Sequence, residues 1–311
     1  MTSSFVRTVL GDVAPGELGQ VNYHEHLFQV SPLLRGDELT NEDHSRAEAE
    51  DLVSAGTGTM VEATPYGLGR RPDAVARISR GTGLHIVHVT GAHRAAHYSP
   101  DDPLLELHEE ALADRFAGEI VDGFPEATGV RAGVVKAGIE YWSIPPFSRR
   151  VLHAAAATAR STGAPLMVHL EHGSAAHQVL DLFEEHGVSS SRVALAHVDR
   201  NPDPGLHAEL ASRGARLGYD GWARYREWPD SVLLDCLARV VATDAGRQSV
   251  ILGGDVARAS RYLSYGGMPG LGYVARRIVP QLQAMVGAEV AHGVLHVNPA
   301  SWLTFAPISA G

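Results

Sequence analysis

Apolar positions along the chain follow two periods in alternation. Eight short β-rich runs, at 20–23, 57–62, 84–90, 132–136, 165–169, 193–197, 215–219 and 249–253, are separated by longer polar stretches. Amphipathic helices are expected among these at 43–55, 73–81, 103–121, 148–162, 175–186 and 230–244. A strand followed by a helix, repeated without a linker or a break in composition, implies parallel pairing with the helices outside. Eight such units predict a closed (β/α)8 TIM barrel, an α/β fold that occupies residues 1–311 as one domain. An open doubly wound sheet is the competing arrangement. Pro/Gly-rich stretches at 67–72, 202–205 and 266–272 are expected to be loops. The opening segment 6–19, with its Gly-Asp and Pro-Gly turns, is expected to form a hairpin that closes the barrel floor.

Composition narrows the function more than the fold. Apolar residues make up 44% and charged residues 20% of the 311, enough for a full core in a soluble chain. A net charge of −10 without a Lys/Arg-rich block argues against nucleic acid or an anionic membrane as partner and favours small molecules. The lone cysteine, Cys236, lies in a helical stretch, cannot form an internal disulfide and is expected to be a packed core thiol. Residues 1–10 lack the basic head and long apolar run of a leader, and no apolar segment approaches the ~20 residues of a membrane helix, so a cytoplasmic protein is expected.

Candidate chemistry begins at His24-Glu25-His26. Residues i and i+2 of a strand face the same side, so both imidazoles can converge on one divalent ion. With 17 histidines in 311 residues, about one such pair arises by chance, so the pair alone decides nothing. The weight comes from position. His24 and His26 follow the first predicted strand, Lys136 ends the fourth, His169 the fifth, His197 the sixth, and Asp255 follows the eighth. All six fall at carboxyl ends, the face where barrel enzymes build active sites. An apolar surrounding lowers the pKa of Lys136, and the neutral amine can add carbon dioxide to give a carbamate that bridges two cations. Two-metal sites lower the pKa of a shared water, and Asp255 can accept its proton as general base. Glu25 is expected to point away from the pair. His85, His88, His93, His97 and His172 are expected to be hydrogen-bonded or exposed rather than ligands.

Several segments together resemble the phosphotriesterase family of the amidohydrolase superfamily. They are Leu10-Gly11-Asp12, Glu17-Leu18-Gly19, His24-Glu25-His26-Leu27, Val134-Val135-Lys136-Ala137-Gly138, Val168-His169, Ala196-His197-Val198-Asp199 and Gly253-Gly254-Asp255. The resemblance spans nearly the whole chain. It implies two divalent ions, zinc foremost with manganese or cobalt as alternatives. His24, His26 and Asp255 would hold the buried ion, His169 and His197 the exposed one, with carbamylated Lys136 between them. A homodimer is also an expectation of the family.

Substrate choice falls to the loops. Residues 219–230 and 265–273 look like the loops after strands seven and eight in a subgroup linked to sugar lactones, some phosphorylated. They bring Arg224, Arg226, Arg258 and Arg261 beside Tyr265, a cationic group in an acidic protein, and guanidinium forks suit phosphate or carboxylate. His93 and Tyr98, on the loop after strand three, are further substrate-contact candidates. A lactonase acting on a sugar-type lactone with an anionic group is therefore expected. An amide or N-acyl hydrolase, a phosphotriesterase with promiscuous lactonase activity, and a barrel that binds without turnover are the alternatives.

Overall fold

A computed structural model describes residues 4–224 and 226–307. A two-stranded hairpin, β1 (Val6–Thr8) and β2 (Gly11–Val13), precedes eight strands. These are β3 (Val21–Glu25), β4 (Thr59–Glu62), β5 (His85–Gly91), β6 (Val134–Ile139), β7 (Leu166–Leu170), β8 (Val193–Ala196), β9 (Arg216–Tyr219) and β10 (Val250–Leu252). They pair in parallel in sequence order from β3 to β10. The remaining seam is closed at its carboxyl end, where the backbone N–H groups of Gly254 and Asp255 donate to the His24 carbonyl at 3.1 and 2.9 Å. That closure excludes the open sheet and gives the (β/α)8 barrel.

Inward residues fill the lower barrel. Val21, Tyr23, Val61, Val87, Val89, Val134, Met167 and Ile251 form one buried cluster, and Val6 and Trp302 join it. The hairpin therefore does sit against the barrel core. The Trp302 indole also donates to the Leu166 carbonyl at 3.0 Å, tying the C-terminal helical run over 274–303 to the foot of β7.

Helix boundaries shifted where capping chemistry decided them. The first helix spans Glu42–Ser54 because the Asn41 side chain accepts from the amides of Asp43 and His44. The expected helix over 103–121 is split into a 3-10 turn at Pro103–Glu106 and a helix at Glu109–Val121. Arg150 draws off the Leu105 and Leu107 carbonyls at 2.5 and 3.1 Å, which a continuous helix would need. The stretch over 230–244 ends at Val240, and a new helix, Asp244–Ser249, starts where the Thr243 hydroxyl accepts from Gly246 N. The expected loop over 202–205 instead opens a helix, Pro204–Ser212, because proline suits the first helical turn.

Candidate metal site at the barrel mouth

Placement of the six candidate ligands follows from strand details. Lys136 is the third residue of β6, not its end, because pairing with β7 continues through Gly138 opposite His169 to Ile139 opposite Leu170. Its long stem lets it line the mouth from two residues deeper. His24 likewise lies inside β3, with His26 just beyond. The register between β3 and β4 shifts between Asn22 and Glu25. Such a bulge re-aims side chains, so Tyr23 packs in the barrel core while His24 and His26 both reach the cavity. His197 and Asp255 have φ of +67° and +45°, a left-handed conformation that non-glycine residues rarely hold. Each sits where the chain leaves its strand, and the turn points the side chain across the mouth.

All six residues line one cavity of about 250 Å3. His24, His26 and Asp255 offer ligand atoms within 4.8 Å of one another. Asp255 Oδ1 lies 3.5 Å from His24 Nε2 and 3.6 Å from His26 Nε2. On the other side, His197 Nε2 and His169 Nδ1 approach to 2.8 Å. Lys136 Nζ donates to the Ala63 carbonyl at 2.7 Å.

The histidines' outer partners set which nitrogen faces inward. Asp220 is fully buried; its Oδ1 accepts from His197 Nδ1 at 2.6 Å and its Oδ2 from His24 Nδ1 at 2.9 Å. Tyr23 donates its hydroxyl to the same carboxylate. Glu171 accepts from His169 Nε2 at 2.9 Å. A carboxylate on one ring nitrogen fixes the proton there and leaves a lone pair on the other. His197 Nε2 and His169 Nδ1 are then two lone pairs at contact distance, and His24 Nε2 is buried with no hydrogen-bond partner among the described residues. One cation between His197 and His169 and another at His24 would resolve the two conflicts, so these residues fit metal ions in both groups. Asp220 also lies near His24 and His197, but its oxygens are engaged behind the rings.

The ionisation states agree. Burial pushes His26 down to about 3 and His197 to about 4, and holds His169 well below the usual imidazole range, leaving neutral ligands. Burial lowers Lys136 to about 8. Burial pushes the Asp255 carboxyl up, but Arg224 and the adjacent histidines outweigh it and hold Asp255 well below the carboxylate range. For Asp220, burial is likewise outweighed by His197 and His24.

Asp255 carries a second set of contacts. Its Oδ2 accepts from Arg200 Nη2 at 2.7 Å and Arg224 Nη2 at 2.5 Å. The next described helical turn, Ala259–Arg261, begins four residues later with Arg258 ahead of it, so Asp255 does not cap a helix. Glu25 faces away from the cavity and secures the seam, accepting from Val256 N at 2.9 Å and Asn22 Nδ2 at 2.8 Å. A β-carbon on Gly254 would run into that carboxylate, which explains Gly253-Gly254 ahead of Asp255.

Of the substrate-contact candidates, Arg224, Arg258 and His93 line the cavity, together with His97, His172 and Arg261. Tyr98 does not. It is buried, and its hydroxyl accepts from His93 N and donates to the Tyr66 carbonyl, so it shapes the loop from behind. Tyr265 stacks on His44, with ring centroids 4.1 Å apart, and its hydroxyl accepts from Asn41 N, outside the cavity. Arg226 is exposed and is not among the described lining residues. Trp222 is buried against its own loop, and Trp228 donates to the Arg200 carbonyl. Sequence reasoning missed Arg94, Arg200 and the orienting role of Asp220. Arg200 follows His197-Val198-Asp199 by one residue, a signal that spacing could have carried.

A parallel barrel with paired histidine groups and a carboxylate at its mouth is the architecture of metal-dependent hydrolases. The chain belongs to the phosphotriesterase family, whose model matches residues 4–303. It is 28% identical over 334 residues to a phospho-furanose lactonase of Mycoplasmopsis synoviae, covering 98% of this chain and 93% of that protein. It is 27% identical over 349 residues to the N-acetyltaurine hydrolase of Tetraodon nigroviridis, covering 97% and 99%. The crystal structure of a lactonase from Listeria monocytogenes superposes with a TM-score of 0.91 at 29% identity, covering 98% and 100% of the two chains.

Proposed function

We propose that this protein is a binuclear metal-dependent lactonase that opens a sugar-type lactone bearing a phosphate or carboxylate. The observation that carries the reading is the pair of imidazole lone pairs, His197 Nε2 and His169 Nδ1, held 2.8 Å apart by carboxylates behind each ring. When bound, two divalent ions, zinc foremost with manganese or cobalt as alternatives, supply an ionised water and polarise the ester carbonyl. His24, His26 and Asp255 would hold one ion and His169 and His197 the other. Burial supports a neutral Lys136 near its pKa of about 8. Its amine adds carbon dioxide, releases a proton and becomes a carbamate between the two groups.

The chain's own residues do the rest. Arg200 and Arg224 keep Asp255 ionised and fixed at Oδ2, ready to take the attacking water's proton and return it to the departing ring oxygen. The anionic group of the substrate is assigned to guanidinium N–H groups that lack hydrogen-bond partners among the described residues, Arg224 Nε and Arg261 Nη1. Unpaired buried donors are costly, and an oxyanion satisfies them. The lactonase relatives support this choice of bond.

An amide or N-acyl hydrolase is the second reading, favoured by the N-acetyltaurine hydrolase relative. No described helix is long and apolar enough to cross a membrane. Cytoplasmic residence and a homodimer belong to the proposal. Initial rates with zinc-loaded protein on a phosphorylated aldonolactone, its neutral analogue, an N-acyl amine and a phosphotriester test the assignment. Highest kcat/KM on the phosphorylated lactone is expected; preference for the N-acyl amine would overturn it.

A further inference from the structure

A second hollow opens beside the metal cavity, an open groove of about 840 Å3. The two share Arg94, Glu171, His172 and Arg200 as a common wall, so the groove is a direct extension of the mouth. Its far side is formed by Tyr141 and Trp142, on the loop after β6. Both rings are largely uncovered, 60% and 61% exposed, in a chain that buries most of its large apolar side chains. They stand edge to face at 6.5 Å, and Tyr141 meets the His172 ring at 5.9 Å and 88°.

The loop is built to hold them there. Trp142 has φ +48°, a left-handed conformation costly for a bulky residue. It is held by its N–H donating to the Ser174 hydroxyl at 2.9 Å and by reciprocal backbone hydrogen bonds between Glu140 and Ser143. Opposite the rings lie polar groups in place: Arg94 paired with Glu140 at 2.8 Å and with Glu171 at 3.0 Å, and Asn201. One aromatic wall facing a row of hydrogen-bonding side chains matches the two faces of a hydroxylated ring: C–H groups rest on the indole and hydroxyls meet the polar wall. Continuity with the metal cavity favours a ligand small enough to reach into both hollows over a protein surface.

We propose that Tyr141 and Trp142 form a binding subsite for a second sugar ring attached to the lactone that occupies the metal cavity, which makes glycosylated lactones preferred substrates. This rests on the lactonase reading for its substrate but not for its binding chemistry. The test compares the zinc-loaded protein and its Trp142→Ala variant on a monosaccharide aldonolactone and on the same lactone carrying a glycosyl substituent. The ratio of the two kcat/KM values, extended over plain, is expected to fall about tenfold or more in the variant, chiefly through KM. A ratio unchanged in the variant overturns the subsite. So does a change of oligomeric state in sedimentation with the ratio intact, because the rings would then be covered by a second copy.

A stable disaccharide lactam, titrated calorimetrically into both proteins, separates this idea from its parent. If no lactone is hydrolysed, the lactonase reading fails. Binding of the lactam that weakens about tenfold in Trp142→Ala still upholds the ring subsite. Equal affinity for both proteins, or no binding to either, overturns it.

Discussion

Asp220 holds His197 at 2.6 Å with one carboxylate oxygen and His24 at 2.9 Å with the other, so one buried side chain orients a candidate ligand in each of the two histidine groups. Asp220 is itself fixed through its backbone N–H, which donates to Asp199 Oδ2 at 2.9 Å. Partners of this kind change metal affinity about 10–100-fold when removed. Asp220→Asn can accept from only one of the two rings, and its amide opposes the other N–H. Both ions are expected to bind about tenfold or more weakly, measured by competition with a chromophoric chelator. Two ions bound at wild-type affinity would falsify the orienting role.

Metal removal should destabilise the folded protein. Without cations the His197 and His169 lone pairs face each other and His24 Nε2 stays unpaired. A ligand that binds only the native state adds about 2.7 kcal/mol of stability at one hundred times its Kd. Dialysis against a chelator should therefore lower Tm, and adding zinc back should restore it in proportion to the logarithm of its free concentration. Calorimetric scans at fixed pH check this; an unchanged Tm argues against a resident metal.

Reconstitution of the apoprotein should depend on pH and on bicarbonate. The Lys136 ammonium, lowered by burial to about 8, loses its proton as pH rises through that value, and only the neutral amine takes up carbon dioxide. With dissolved carbon dioxide held constant at each pH, the recovery rate should rise about tenfold per pH unit below 8 and level off above it. The same depression makes the apoprotein gain stability between pH 8 and the ordinary lysine value of 10.5, where the unfolded chain holds the extra proton. Lys136→Met should remove both effects. Recovery equally fast at pH 6 and pH 9 would rule out the amine.

Charge recognition can be assigned to particular arginines. Arg261 donates to the Trp222 carbonyl at 3.1 Å, its Nη1 has no hydrogen-bond partner among the described residues, and burial lowers its pKa to about 10. A hydrogen bond to a charged group contributes about 1.5–3 kcal/mol, so Arg261→Gln should raise KM for a phosphorylated lactone roughly 10–100-fold. The neutral analogue should change far less. Arg226→Ala, outside the described lining, should have the smaller effect of the two. The reverse ranking would return the anion contact to Arg226.

Much of the barrel was legible because strand period and turn residues recur eight times, and because parallel barrels gather function at carboxyl ends. The fourth strand was ended at Lys136, three residues short of Ile139, because nothing in Ala137-Gly138-Ile139 marks where pairing with β7 stops. The bulge in β3 left no trace in residue type, although it determines that Tyr23 and His24 both point inward. Tyr98 and Tyr265 sit on the expected loops, but chain position does not fix where a hydroxyl turns; backbone partners took both. Asp220 was visible in the sequence only as a loop acid, because its role depends on two histidines 196 and 23 residues away.

Backbone bonds from Gly254 and Asp255 to His24 close the ring of strands. During synthesis the first histidines leave the ribosome long before the aspartate that completes their group. An unfinished chain therefore has imidazoles but no enclosure to select among ions. The group of His24, His26 and Asp255 exists only once the eighth strand docks beside the first, so any cation it takes is taken by the closed barrel.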